Sequence, residues 1–260
     1  MRRFESGRSI GLAFVIVILS GVFAFAQQAA REQGGQERGR QGGGNAGAAR
    51  ASNAPAFLKV EWVRPSTQTG QVPVVQENVV DQNVEIKWYG AAAKHLLTSG
   101  TPGSESTPFS VWSGECDGPF AIAFRQKSSF VDLSGAGRIR WIVKTSGFHV
   151  VRPVVKLADG TMLIGDRVDA SVPMLASREF AVSDVRWIKL DAMRIVTVNS
   201  GPSPNNEIWV PNPDLTRVDE VGFADLMPGS GHGTGGYIHL GTIEVFGKAV
   251  PRASTPASSR

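Results

Sequence analysis

The residues able to do chemistry in this chain are few and scattered. Its histidines are His95, His149, His232 and His239, and Cys116 is its single cysteine. No histidine pair has a metal-ligand spacing such as H-E-x-x-H, and one thiol cannot build a thiolate zinc site. There is no G-x-S-x-G elbow to present a nucleophilic serine. Glu115 with Asp117, or Asp166 with Asp169, could supply the paired carboxylates of a glycosidase, but turns of β-rich chains carry such pairs as ordinary solvated residues. Asp166-Arg167-Val168-Asp169 also offers oxygens of the kind Ca²⁺ accepts. No other cofactor and no metal site is expected, and no catalytic residue is assigned.

Binding chemistry is better represented. Six tryptophans lie beyond residue 50. Trp141 and Trp187 fall inside strand patterns and read as core, and Trp62 and Trp88 lean the same way. Trp112 sits at a strand end and Trp209 between Pro204-Asn205-Asn206 and Pro211-Asn212-Pro213. An indole stacks on the C–H face of a sugar while amides, carboxylates and guanidinium groups bond the hydroxyls, so these two are candidate ligand residues. The run Gly229–Gly236 contains His232 and leads into Tyr237. Residues Gly231 to Gly236 formally satisfy G-x-G-x-x-G, but a strand rather than a helix follows, so the helix N-terminus that would hold a pyrophosphate is missing. Arg152 points away from the Val151/Pro153/Val155 face, and its guanidinium fork suits adjacent hydroxyls or a sugar carboxylate. The expected ligand-binding set is Trp112, Arg152, Trp209, His232 and Tyr237, with the Gly229–Gly236 loop sharing one end of the domain with Trp209 or Trp112.

These residues must be positioned by strands. Arg138 to Lys144 alternates cleanly, with Ile139, Trp141 and Val143 on one face and Arg138, Arg140 and Lys144 on the other. After Thr145-Ser146-Gly147, residues 149–157 read as its partner strand, and Ala158-Asp159-Gly160 turns into Thr161–Ile164. Further strands are expected at 57–63, 84–88, 109–112, 120–124, 185–190, 193–198, 218–226 and 237–246. Residues 91–97 are the best candidate for a short helix, and Asp214-Leu215-Thr216 for a capped turn. The pattern predicts an all-β fold, a single jelly-roll-like β-sandwich over 56–249.

The flanks differ. Arg2, Arg3 and Arg8 precede an apolar run from Ile10 to Phe23, and Ala24-Phe25-Ala26 follows, which is the order of a cleaved signal peptide over 1–26. This places the protein outside the cytoplasm, periplasmic or secreted, with no membrane span after cleavage. Residues 27–55 form a Gly/Gln/Arg-rich linker too poor in apolar side chains to offset its ordering entropy, and 250–260 read as a disordered tail. The formal charge of +4 belongs to these flanks, because residues 51–260 carry 20 basic and 20 acidic side chains. A neutral domain argues against nucleic acid as a partner.

The chain from Asp132 to Gly247 resembles discoidin-type, galactose-binding-like jelly-roll domains. Thr242-Ile243-Glu244-Val245-Phe246-Gly247 is similar to their closing strand, Asp132-Leu133-Ser134-Gly135 to the entry of an earlier one, and residues 218–223 to their late strand. The resemblance implies a sandwich of carbohydrate-binding type with ligand held by loops at one end. It transfers no binding residue, and the paired cysteines of many animal members are missing. Export, neutrality, loop tryptophans and the thin catalytic inventory together point to a non-catalytic module binding carbohydrate or cell-envelope glycan. Two alternatives stay open. One is a sugar-active hydrolase or lyase using Glu115 or Asp225 with His232, the other a structural docking domain of an envelope assembly.

Overall fold

The structure, a computed structural model, describes residues 55–198, 209–227 and 236–252. In chain order these form β1 (Leu58–Val60), β2 (Val84–Gly90), the one-turn helix α1 (Ala92–His95), β3 (Leu97–Ser99), β4 (Ser110–Trp112), β5 (Phe120–Gln126) and β6 (Ser129–Asp132). There follow β7 (Arg138–Thr145), β8 (Arg152–Leu157), β9 (Met162–Gly165), β10 (Ala176–Ala181), β11 (Trp187–Asp191), β12 (Val196–Val198), β13 (Trp209–Val210), β14 (Val218–Asp225), β15 (Ile238–Phe246) and β16 (Lys248–Pro251). No helix among the described residues is long and apolar enough to cross a membrane.

The strands build two antiparallel sheets that face each other as a jelly-roll-like sandwich. The six-stranded sheet runs β10-β7-β15-β4-β3, with β1 also on β15. The ten-stranded sheet runs β12-β11-β9-β8-β14-β5-β2, with β13 on β11 and β6 joining β14 to β16. Alternation decides which side chains fill the space between them. Ile139, Trp141 and Val143 of β7 and Ile243 and Val245 of β15 meet Ile122 and Phe124 of β5, Val155 of β8 and Phe223 of β14 in one apolar core.

The ten-stranded sheet is apolar on its outer face too. Ala121, Val154, Ile164, Ile188 and Ala224 point outward and are covered by Ile195, with Tyr89, Trp209 and Leu226 packed alongside. Burial on both faces explains why Phe120-Ala121-Ile122-Ala123-Phe124 is continuously apolar rather than alternating.

Two expectations are corrected. β7 and β8 are not partners: β7 lies in the six-stranded sheet and β8 in the ten-stranded one, so residues 146–151 cross the sandwich rather than close a hairpin. The alternation of β8 fits either arrangement, because in both it presents Val151, Pro153 and Val155 to the same interior. The tail assigned to 250–260 is also shortened, because Val250 and Pro251 extend β16 along β6, opposite Phe130 and Ser129. A proline is tolerated there because β16 is an edge strand. The Ala158-Asp159-Gly160 turn joins β8 to β9 as expected, with Asp159 Oδ1 accepting from the Thr161 amide at 2.8 Å. Asp214 Oδ1 likewise caps its turn by accepting from the Thr216 amide at 3.0 Å.

Polar bonds cross the core where apolar packing alone would leave its register loose. Trp141 is 1 % exposed, and its Nε1 donates to Asp169 Oδ2 at 2.7 Å. Asp169 is held in turn by Arg167 at 3.1 Å and by a backbone bridge to Val151. Replacing Trp141 by Phe keeps much of the ring but leaves a buried carboxylate oxygen without its donor, which should cost about 1–3 kcal/mol. Urea unfolding of W141F against the parent measures this, and an unchanged midpoint would show that the bond contributes nothing net.

Candidate functional site

Three antiparallel strands bring an aromatic group together on the outer face of the six-stranded sheet. In β15, His239 lies between Lys144 of β7 and Trp112 of β4 in register. Tyr237 precedes it by two residues and so faces the same side. The Trp112 and Tyr237 rings are 6.3 Å apart at 62°, Tyr237 and His239 5.3 Å apart at 88°, and Trp112 and His239 6.5 Å apart. Lys144 Nζ sits 5.4 Å from the Tyr237 ring centroid, in cation–π range. Gly114 makes room for the indole, since a Cβ there would come within 1.8 Å of Trp112 Cζ2.

Beside this group opens a cleft of about 650 Å³. It is lined by Ser110 and His239 from the sheet, by Lys144, Pro173, Met174 and Leu175, and by the 99–108 segment with Ser99, Thr101, Glu105, Ser106 and Thr107. Hydroxyls therefore line part of the space, the described lining carries one cation and one carboxylate, and Met174, 70 % exposed, adds an apolar side chain. Ser110 Oγ and His239 Nδ1 are 3.2 Å apart. Burial, with the Lys144 ammonium beside it, pushes the His239 imidazole down to about 4, so it is neutral at pH 7 and acts as a hydrogen-bonding group rather than a charge.

The expected ligand residues divide between two places. Trp112 and Tyr237 are brought together. Trp209 and Arg152 lie instead on the ten-stranded sheet, Trp209 paired with Ile188 and Arg152 with Ala224. Trp209 is packed against the outer apolar cluster, and the Arg186 guanidinium sits 4.1 Å from its ring centroid. Arg152 Nε donates to the Gly165 carbonyl at 2.9 Å, so part of its fork is already committed to the scaffold. His232 and residues 229–235 of the Gly-rich loop lie outside the described residues. The residues missed in sequence are His239 and Lys144, both placed in strands, and the 99–108 segment, whose Ser, Thr and Gly carry no distinctive signature.

Asp166 and Asp225, two of the carboxylates considered for chemistry, are otherwise engaged. Asp166 Oδ2 accepts from Arg186 Nε at 2.9 Å, and those contacts hold its carboxyl below the usual range against the opposing effect of burial. Asp225 is fully buried against His149. Among the described residues no group of three or more His, Cys, Asp or Glu side chains is placed to hold a metal ion.

No family model matches the chain, and no curated protein matches it. Among solved structures it is similar to the family 11 carbohydrate-binding module of a cellulosomal cellulase of Clostridium thermocellum, with a TM-score of 0.39 and 14 % identity over 70 % of this chain and 97 % of that one. A family 11 module from the same organism, in complex with a β-1,3-1,4-mixed-linked tetrasaccharide, gives 0.38 and 13 % over 73 % and 96 %. An exo-β-agarase gives 0.36 and 8 % over 68 % of this chain and 24 % of that one. Likeness at this level carries no ligand and no residue across, and the fold rests on the chain's own ladders.

Two outcomes follow from the geometry. The folded state resists protonating His239 until about pH 4, whereas the unfolded chain takes that proton near 6.5. Between these values the unfolded state binds more protons, so this residue's contribution to stability is present above pH 6.5 and is lost as pH falls towards 4. Urea midpoints across that window should drop less steeply for His239→Gln than for the parent. Arg152→Ala removes a half-buried hydrogen bond from a charged donor and should lower stability by about 1.5–3 kcal/mol in the same assay.

Proposed function

We propose that the protein is an exported, non-catalytic module that binds carbohydrate, with cell-envelope or other extracytoplasmic glycan as its target. The observation that carries this reading is the Trp112–Tyr237–His239 aromatic group standing at the edge of a cleft lined by hydroxyls. A sugar ring needs an apolar face to stack on and short polar side chains to meet its hydroxyls, and the two are adjacent here. A rigid antiparallel ladder sets their spacing, which limits the ordering cost of binding. Residues 1–26 support export by their charged, apolar and small-residue order, and the neutral balance of residues 51–260 disfavours nucleic acid.

The enzymatic alternative loses one of its acids, because Asp225 is 0 % exposed and bonded to His149. A docking domain for an envelope assembly remains as the other reading, and the same experiment addresses it.

A glycan array probed with the chain from Gln27 onward should give retention without release of shorter products. Trp112→Ala and Tyr237→Ala should each weaken binding by about two- to twelvefold, the equivalent of about 0.5–1.5 kcal/mol for an aromatic contact. Circular dichroism should show both variants folded. Product release would establish an enzyme, and capture of a protein partner with no glycan signal would establish a docking domain.

A further inference from the structure

The outer face of the six-stranded sheet is ordered by charge. Lys59 pairs with Glu61 at 2.6 Å. Arg138 pairs with Glu179 at 2.7 Å, and Arg140 pairs with Glu179 at 2.6 Å and with Glu244 at 3.0 Å. Arg138 and Arg140 also cover the Phe246 ring, 4.7 and 5.1 Å from its centroid. Each of these cations has a carboxylate partner. Lys144 continues the Arg138/Arg140 row of β7, yet it makes no ion pair among the described residues. It is half-buried, rests on the Tyr237 ring and lines the cleft. Its register neighbour His239 is neutral at pH 7 and offers no countercharge. Glu105 is the one carboxylate among the described residues that line the cleft, and it stands on an exposed loop and makes no ion pair with Lys144.

A cation that lines a hydroxyl-bearing cleft, with aromatic rings beside it, lacks an anion among the described residues. We infer that the ligand of this cleft is an anionic saccharide, one carrying a carboxylate or an ester sulfate that meets Lys144 Nζ while a sugar ring stacks on the Trp112–Tyr237 group. This rests on the carbohydrate reading above and narrows it to a charged class of glycan. The arrangement also divides the work. The aromatic group contributes the part of affinity that any pyranose shares, and Lys144 contributes discrimination, because a neutral sugar leaves the ammonium where it already was. Opposite charge in a partly desolvated site is screened by salt less than a surface pair but still measurably, so affinity for the anionic ligand falls with ionic strength. Glu105 opposes the same ligand from the rim, so its removal strengthens binding.

The test is calorimetric titration of the chain from Gln27 onward with polygalacturonate, with the same polymer after carboxyl reduction, and with a sulfated polysaccharide. Binding of at least one anionic polymer, about tenfold or more tighter than the reduced one, is expected. Lys144→Gln should erase that difference, Glu105→Gln should widen it, and Trp112→Ala should weaken both polymers alike. The two anionic arms separate carboxylate from sulfate as the recognised group. If neither anionic polymer binds more tightly than the reduced one, the inference is overturned and a module for neutral sugars is left. An anionic preference unaltered in K144Q overturns it as well, because Lys144 is then not the group that meets the anion. If no glycan binds any variant, the carbohydrate reading fails and this inference fails with it. Circular dichroism of K144Q distinguishes lost recognition from lost folding, and an equivalent Lys144→Arg variant should retain the preference.

Discussion

The apolar core packs the two sheets together, but the site depends on one passage of the chain from sheet to sheet, and that passage is fastened by a buried carboxylate. Asp225 ends β14 in the ten-stranded sheet and accepts from His149 Nδ1 at 2.5 Å, with His149 in the crossing between β7 and β8. The Met227 amide donates to the same side chain at 3.0 Å, and the Val150 amide also donates. Burial pushes the Asp225 carboxyl up, while these donors pull it back, so the group is tolerated only as part of the complete set. The pair fixes the 146–151 crossing, and the crossing fixes the site. The Ser146 amide donates to the Tyr237 carbonyl at 2.9 Å, and Gly236, with φ at +94°, passes so close that a Cβ would lie 2.1 Å from the Ser146 carbonyl oxygen. A surface ring is thus placed by a buried hydrogen bond at the interior end of the same loop.

The two outer faces have been used differently. On the ten-stranded sheet Ile195 and its neighbours close a second apolar layer over Ala121, Val154 and Ile164. That layer makes the sheet stiff and leaves little of its centre exposed to a ligand. Among the described residues the six-stranded sheet has no such cover. Its outer face is a ladder of ion pairs at one end and the aromatic group at the other, with the change between them at the Leu240/Ile243 irregularity of β15. A shift of register at that point re-aims the N-terminal half of β15 relative to its C-terminal half. The strand that closes the core is therefore also the strand that presents Tyr237 and His239.

Most strands were legible because their apolar residues recur with period two or run continuously, as in β7, β5 and β14. β10 was not, since Ser177, Arg178 and Glu179 are exposed on an edge and carry little apolar signal. Nor was the crossing at His149, because period two specifies a strand's inward face but not which sheet owns it. For the site, Trp112 and Tyr237 stood out by type and by their place at strand ends, and their meeting depends on the β4–β15 ladder, a pairing between segments more than a hundred residues apart. Lys144 looked like any solvent-facing lysine. That it makes no ion pair among the described residues emerges only when the rest of the face is assembled. Arg152 and Trp209 were chosen by chemistry alone and turned out to share a sheet whose outer side is largely filled.

Cys116 carries a consequence of a different kind. It is fully buried, and burial together with the nearby acidic groups Asp225, Asp117 and Glu115 pushes its thiol up to about 12. Thiol exchange and oxidation proceed through the thiolate, so at neutral pH this sulfur offers almost nothing to attack with and no exposed surface to be attacked. The chain has no second cysteine to pair with. Folding therefore owes nothing to a disulfide isomerase, and oxidising surroundings find no ready site for crosslinking two copies. A cysteine introduced on the surface would be the one reactive thiol on the molecule, free to take a probe while the native sulfur stays silent.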